Sequence, residues 1–243
     1  MCGTPVLLPL SGFMLKARPS DGVGRLICYF RDAADGLFAF MKTYLKPGMT
    51  FVDVGANIGS HTVHGARLVA STGKVFSFEA DAETFELLRN NVKLNSIGNA
   101  TLYRQCVADK EGTVTFNISA NSARSSLLRK GTSQRTLLAS TLDHLLPPET
   151  QVDLLKIDVE GADYQVLTGA RRLFETKPPS VVVIEVSCCK KEIKDFLLSY
   201  QYRLYRFEDD KSALTEVQSP LFNTYAVRDC VRQELSGFDL RSC

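Results

Sequence analysis

A short apolar strand that runs straight into a glycine turn constrains this chain more than any other feature. Residues 51–59 read Phe-Val-Asp-Val-Gly-Ala-Asn-Ile-Gly, and a helical pattern begins near Ser60. Val52 and Val54 belong to the strand, while Gly55 and Gly59 let the backbone turn tightly and approach a ligand. The helix that follows offers N–H groups without intrahelical acceptors. The next apolar stretch, Lys74-Val-Phe-Ser-Phe-Glu79, ends on a carboxylate about twenty residues after the last glycine. At that spacing an acidic side chain reaches a ribose hydroxyl pair, so a nucleotide-type cofactor is expected.

The glycine positions narrow the cofactor. A dinucleotide fingerprint reads G-x-G-x-x-G, but counted from Gly55 its second and third glycines are Asn57 and Ser60. A pyrophosphate then lacks its close backbone approach, which disfavours a nicotinamide oxidoreductase. Asp53 before the turn and Asn57 within it suit a ligand with a cationic amino-acid end. S-adenosylmethionine fits that description.

At 243 residues, 44% of them hydrophobic, the chain can bury one sizeable core. One domain over residues 46–243 is expected, preceded by an arm or cap over residues 1–45. The formal charge of +2 supplies no field to draw the protein onto nucleic acid or an acidic membrane. No apolar run approaches the length of a membrane span, and Val6-Leu-Leu-Pro-Leu is too short and Pro-interrupted for a signal peptide. A soluble cytoplasmic protein is therefore expected. Seven cysteines, odd in number and without a C-x-x-C pair, indicate neither a zinc site nor a disulfide framework.

Strands alternate with helices from residue 50 onward, the signature of an α/β fold with a parallel sheet covered on both faces. Residues 50–55, 74–79, 100–107, 152–158, 180–186, 202–207 and 223–229 read as strands. The last two form an antiparallel pair that completes a seven-stranded, Rossmann-like sheet. Helices are expected over 36–45, 81–94 with Asp81 as N-cap, 162–174 and 190–200. Strands 113–118 and 134–139 flank a polar loop, Ser119–Arg135, expected at the acceptor entrance.

The second informative segment is Val152-Asp-Leu-Leu-Lys-Ile-Asp-Val-Glu-Gly-Ala-Asp163. Lys156 and Asp158 share one face of a buried strand, which delivers Asp158 and Glu160 to its carboxyl end, the ligand edge of an open parallel sheet. Glu185 ends the next strand. A general base is expected among Asp158 and Glu160, with His61 as a competitor, since a helix N-terminus keeps an imidazole neutral. No metal is assigned.

Asp53-Val-Gly-Ala-Asn-Ile-Gly59, Phe78-Glu79, the helix end Leu88–Asn95, Thr141-Leu-Asp143 and Lys156-Ile-Asp-Val-Glu-Gly161 together resemble the FkbM family of S-adenosylmethionine-dependent methyltransferases. The resemblance covers roughly residues 46–187. It implies a class I methyltransferase fold and, commonly, O-methylation of hydroxyls on natural products or sugars. Carried onto this chain, it implies that Gly55, Asn57, Gly59 and Glu79 hold the cofactor, with Asp109 near the adenine and Asp158 and Glu160 facing the transfer site. The chain departs from the pattern at Ala80, at Asp163 and at Ser187-Cys188, where the family often has proline, glutamate and a histidine. The expected partner is a small hydroxylated acceptor, and a module that binds the cofactor without turnover is the alternative.

Overall fold

The protein is described by a computed structural model over residues 5–10, 12–18, 36–118, 133–159, 161–235 and 237–241. Its central strand is β3 (Thr50–Val54), in which Phe51 to Val54 are buried on both faces as the apolar run predicts. Along the chain, the hairpin β1 (Val6–Leu10) and β2 (Phe13–Ala17) comes first, then α1 (Gly36–Tyr44). After β3 follow α2 (Ser60–Leu68), β4 (Lys74–Phe78), α3 (Ala82–Leu94) and β5 (Ala100–Tyr103). Next come β6 (Cys106–Val107), β7 (Gly112–Ile118), β8 (Ser133–Ser140) and α4 (Leu142–Leu145). The chain continues through β9 (Leu154–Ile157), α5 (Asp163–Thr168), α6 (Arg171–Thr176), β10 (Val181–Glu185) and α7 (Lys190–Ser199). It ends with β11 (Tyr202–Glu208), β12 (Ala213–Glu216), β13 (Asn223–Arg228) and β14 (Asp239–Arg241).

The main sheet runs β14-β12-β11-β13-β10-β9-β3-β4-β5. Strands β10, β9, β3, β4 and β5 are mutually parallel, while β13 is antiparallel to both β10 and β11. Nine strands thus replace the expected seven. The two additions, β12 and β14, are short and half polar, so they carry no apolar run that marks them in advance. The stretch expected as one strand over 100–107 breaks after Tyr103: Gln105 donates its N–H to Glu79 O at 3.1 Å, and β6 joins β7 and β8 in a separate three-stranded sheet. The helix expected over 162–174 is likewise two helices. They part at Gly169, where a Cβ would meet Ala108 O at 2.0 Å.

Alternation along the strands divides the core into two layers. Val52, Val54, Leu155, Ile157, Val182 and Ile184 face α5, α6 and α7. Phe51, Leu154, Val181 and Val183 lie with Phe40 and Met41 of α1 and Ala66 of α2. Helix α3 starts as predicted, with the Asp81 carboxylate accepting from the N–H groups of Glu83 and Thr84.

The β1–β2 hairpin docks on α3 through two asparagines that stand in for a neighbouring strand. Asn91, fully buried, accepts from Lys16 N at 2.6 Å and donates to Lys16 O at 3.0 Å and Ile58 O at 2.8 Å. Asn95 accepts from Met14 N and donates to Met14 O. Leu10, Phe13, Leu15 and Ala17 then close over Ile58, Val63, Leu87 and Leu88. Asn91 therefore ties the hairpin to the glycine turn. Truncating it removes the side-chain partner of the buried Ile58 carbonyl and of the part-buried Lys16 N–H and carbonyl, so Asn91→Ala is expected to cost about 1–3 kcal/mol in urea unfolding and to raise amide exchange across residues 13–17. Unchanged exchange there would mean that apolar packing alone seats the hairpin.

Candidate functional site

Chain order reverses between β3 and β9: the chain runs outward through β4 and β5, then returns to place β9 and β10 on the other side. Ligands of open α/β sheets bind at such a switch point, outside the carboxyl ends of the strands. Here those ends touch. Asp158 N donates to Val54 O at 3.0 Å, and a Cβ on Gly55 would lie 1.8 Å from Asp158 O, while φ at Gly55 is +77°. At Gly59 the restriction is the backbone, with φ +88°, and a Cβ would also displace the tip of the Leu88 side chain at 2.5 Å. At Gly55 the backbone carbonyl leaves no room for a side chain.

The turn has spent its donors. Gly55 N and Ala56 N both donate to Phe78 O, Asn57 N to Glu79 Oε2 at 2.9 Å, Ile58 N to Asn57 Oδ1, and Gly59 N to Ala56 O. A pyrophosphate needs those N–H groups. The turn therefore opposes a dinucleotide, as the glycine spacing does. What remains at this edge is acceptor-rich, with the carboxylates of Glu79 and Asp158 on either side, and it suits hydroxyl donors and cationic centres. The first turn of α2 supplies the N–H groups that one carboxylate requires.

Glu79 extends from the end of β4 and accepts one N–H at each oxygen, from Asn57 and from Asp81 at 2.9 Å. Each oxygen keeps a lone pair for a ribose hydroxyl. Burial pushes its pKa up to about 7, against the lowering effect of the Asp81 and Asn57 N–H groups. The same carboxylate, after burial, helps push the Cys106 thiol up to about 11, which places β6 beside it.

Lys156 stands at the centre of the switch point. Its ammonium lies 3.1 Å from Asp53 Oδ1 and 3.4 Å from Asp158 Oδ2, and donates to Gly55 O at 3.0 Å. Burial alone would lower the lysine pKa, but Asp53 and Asp158 outweigh it and hold the group charged. Asp53 has no exposed surface, and its other oxygen accepts from Thr62 Oγ1 at 2.7 Å. It therefore acts on the site through Lys156 rather than by touching a cofactor, a correction to the expectation of direct contact. The Asp158 side chain is 36% exposed and faces the edge.

Glu160 lies outside the described residues, but its neighbours in sequence, Val159 and Gly161, are both tied to Asp163. This side chain is 1% exposed and accepts from Val159 N at 3.1 Å and Gly161 N at 3.2 Å; burial raises its pKa to about 6. Cys188 donates its thiol to Gly161 O from the far side. Neither residue is legible from sequence as a support here: the Cys188 bond joins loops 27 residues apart, and the local Asp163 bonds depend on how the backbone turns after β9. His61 sits on α2 with its ring 4.8 Å from that of Phe38, and Phe38 also packs on His64. The structure thus sets His61 within an aromatic cluster below the arm. Asp109 is exposed just after β6, and its Cα flanks Gly169. Glu185 pairs in register with Asn223. Most of the loop Ser119–Arg135 lies outside the described residues. Among the described residues no group of His, Cys, Asp and Glu could hold a metal ion, and no helix is long and apolar enough to cross a membrane.

The family described as "Methyltransferase FkbM domain" matches residues 53–206. Hexuronic acid methyltransferase AglP of Haloferax volcanii is 25% identical over 147 residues, 60% of this chain and 59% of that protein. A probable cobalt-precorrin-6B C(15)-methyltransferase (decarboxylating) of Sulfolobus acidocaldarius is 36% identical over 66 residues, 27% of this chain and 34% of that one. The matches thus span less than two thirds of these relatives. Among solved structures, a precorrin-6Y C5,15-methyltransferase of Geobacter metallireducens GS-15 aligns at 16% identity with a TM-score of 0.47, covering 80% of this chain and 87% of that one.

Two outcomes follow from the site. A carboxyl raised to about 7 by the fold holds its proton more tightly folded than unfolded, so its contribution to stability falls as pH rises from the ordinary carboxyl range toward 7. Ribose binding favours the ionised form. The affinity for 5′-methylthioadenosine, which has a ribose but no amino-acid end, is therefore expected to be about tenfold weaker at pH 6 than at pH 8 by calorimetry; a flat profile would remove Glu79 from the ribose. Lys156→Met strands Asp53 in the core and is expected to cost about 3–5 kcal/mol in denaturant unfolding, with partial recovery in the Asp53→Leu/Lys156→Met double variant.

Proposed function

This chain belongs to the FkbM methyltransferase family, and on that basis we propose that it is an S-adenosylmethionine-dependent methyltransferase that methylates a hydroxyl oxygen of a small molecule, with a sugar or uronic acid ring as the acceptor class. The observation that carries the reading is the half-exposed Asp158 carboxylate, held by buried Lys156 at the switch point within reach of a ligand seated over Gly55. AglP, by its name a hexuronic acid methyltransferase, supports the acceptor class.

The cofactor, when bound, supplies an electrophilic methyl that needs no further activation. The chain's own part is to hold, align and deprotonate. Glu79 takes the two ribose hydroxyls, the first turn of α2 takes the amino-acid carboxylate, and the acceptor-rich edge with Asp158 suits the ammonium and sulfonium charges. Asn57 shapes the turn, its backbone in the left-handed region at φ 51°. Asp109 borders the adenine end. Alignment of an acceptor oxygen with the methyl, in a site that excludes water, provides most of the acceleration. Glu160, whose sequence neighbours Val159 and Gly161 are tied to Asp163, accepts the hydroxyl proton, and Asp158 orients the acceptor. His61, packed on Phe38, is left a supporting part.

Methyl-labelled S-adenosylmethionine incubated with hexuronic acids and other hydroxylated small molecules is expected to give a label that survives mild base, as an ether does and a carboxyl ester does not. Glu160→Gln is expected to lower turnover about a hundredfold or more with cofactor affinity preserved. Asp158→Asn is expected to weaken both, because it also removes a partner of Lys156. Full turnover in Glu160→Gln would place the base elsewhere, and cofactor binding with no transfer to any acceptor would make the protein a binding module.

A further inference from the structure

The carboxyl edge of the sheet continues beyond Asp158. It passes Glu185 at the end of β10 and reaches the turn that precedes β13, because β13 runs antiparallel to β10 with Asn223 opposite Glu185. Neighbouring strands lie about 4.8 Å apart, so this turn stands about 10 Å along the edge from the end of β9, on the side away from Glu79. That interval is longer than the width of a hexose ring. Two consecutive large apolar residues occupy the turn, Leu221 at 37% and Phe222 at 58% exposure.

The turn is held firmly although its side chains are exposed. Buried Thr224 accepts from Leu221 N at 2.8 Å and its hydroxyl donates to Leu221 O at 2.8 Å. Val186 N, directly after β10, donates to Phe222 O at 2.6 Å. Pro220 is buried beneath them. Phe222 itself joins none of the buried clusters among the described residues. Hydrogen bonds thus fix the backbone that carries an exposed aromatic ring along the carboxyl edge beyond β10. A ring prepared in this way binds the apolar face of another ring with little ordering cost.

We propose that Phe222 is an acceptor-specificity residue, the platform against which the sugar ring bearing the methylated hydroxyl lies. The inference rests on the methyl-transfer reading above and names what recognises its acceptor. Leu221 borders the platform, and the bond between Val186 and Phe222 couples its position to the end of β10.

The chain has no tryptophan, so Phe222→Trp introduces a single indole reporter at this turn. With methyl β-D-glucuronide as probe and S-adenosylhomocysteine present to prevent turnover, the indole emission of Phe222→Trp is expected to change saturably with probe concentration. In the transfer assay with the same glucuronide, Phe222→Ala is expected to raise the acceptor KM about tenfold, with kcat within about twofold and cofactor affinity unchanged, while Phe222→Trp keeps the KM of the parent protein. An unaltered KM in Phe222→Ala, an equal loss of cofactor affinity, or an emission indifferent to the glucuronide would each overturn the assignment. The two readings fail separately. An emission change without methyl transfer upholds the platform and sinks the methyl-transfer reading, and transfer with an unchanged KM in Phe222→Ala does the reverse.

Discussion

Lys156 brings a charge into the buried middle of the sheet, in register with Asp53 on one side and Val183 on the other, and a buried ammonium is tolerated only where carboxylates and carbonyls surround it. Asp53 from β3, Asp158 from the end of β9 and the Gly55 carbonyl meet that requirement together. Because they come from both sides of the switch point, the lysine joins the two strand ends where a ligand must sit. Gly55 has to be glycine for the same reason: the contact with Asp158 O leaves no room for a Cβ. One desolvated charge thus sets the register of the site, the position of its exposed carboxylate and the identity of a turn residue.

The balance of donors and acceptors then selects the ligand. With the N–H groups of residues 55–59 turned inward, the turn cannot cradle phosphates, and its neighbours Glu79 and Asp158 offer oxygen instead. A cofactor with a ribose, a sulfonium and an ammonium matches that surface, whereas one with a pyrophosphate does not. The cost appears at Glu79, whose burial pushes its pKa up to about 7.

Around this centre the supports are side chains, some local, as at Asp163 and Thr224, and some from distant parts of the chain, as at Asn91 and Cys188. Asn91 joins the hairpin to Ile58 beside the glycine turn, Asp163 and Cys188 fasten Val159 and Gly161 after β9, and Thr224 fastens the turn that carries Phe222. Asp143 works similarly: it accepts from Arg172 N and Leu173 N, and its carbonyl accepts from the Arg172 guanidinium, so the Thr-Leu-Asp motif anchors α6 rather than meeting a ligand. Each support is a side chain satisfying backbone groups that no regular element reaches.

Much of this was legible in the residues themselves. Continuous apolar runs identified the five parallel strands, Asp81 announced the start of α3, and the strand-glycine-helix passage at 51–59 with Glu79 beyond it located a cofactor edge and argued against a dinucleotide, since these signals are local and arise from backbone geometry and periodicity. The strand and helix breaks at Tyr103 and Gly169, the short strands β12 and β14, the burial of Asp53, the aromatic setting of His61 and the supports at Asp163 and Cys188 were not legible. They depend on which atoms meet across the sheet, and one-dimensional spacing does not encode a desolvated charge or a carbonyl that excludes a Cβ. The sequence by itself determined the fold class and the class of ligand, through local pattern; only the tertiary structure decided which carboxylate faces solvent, because exposure is settled by what packs against it.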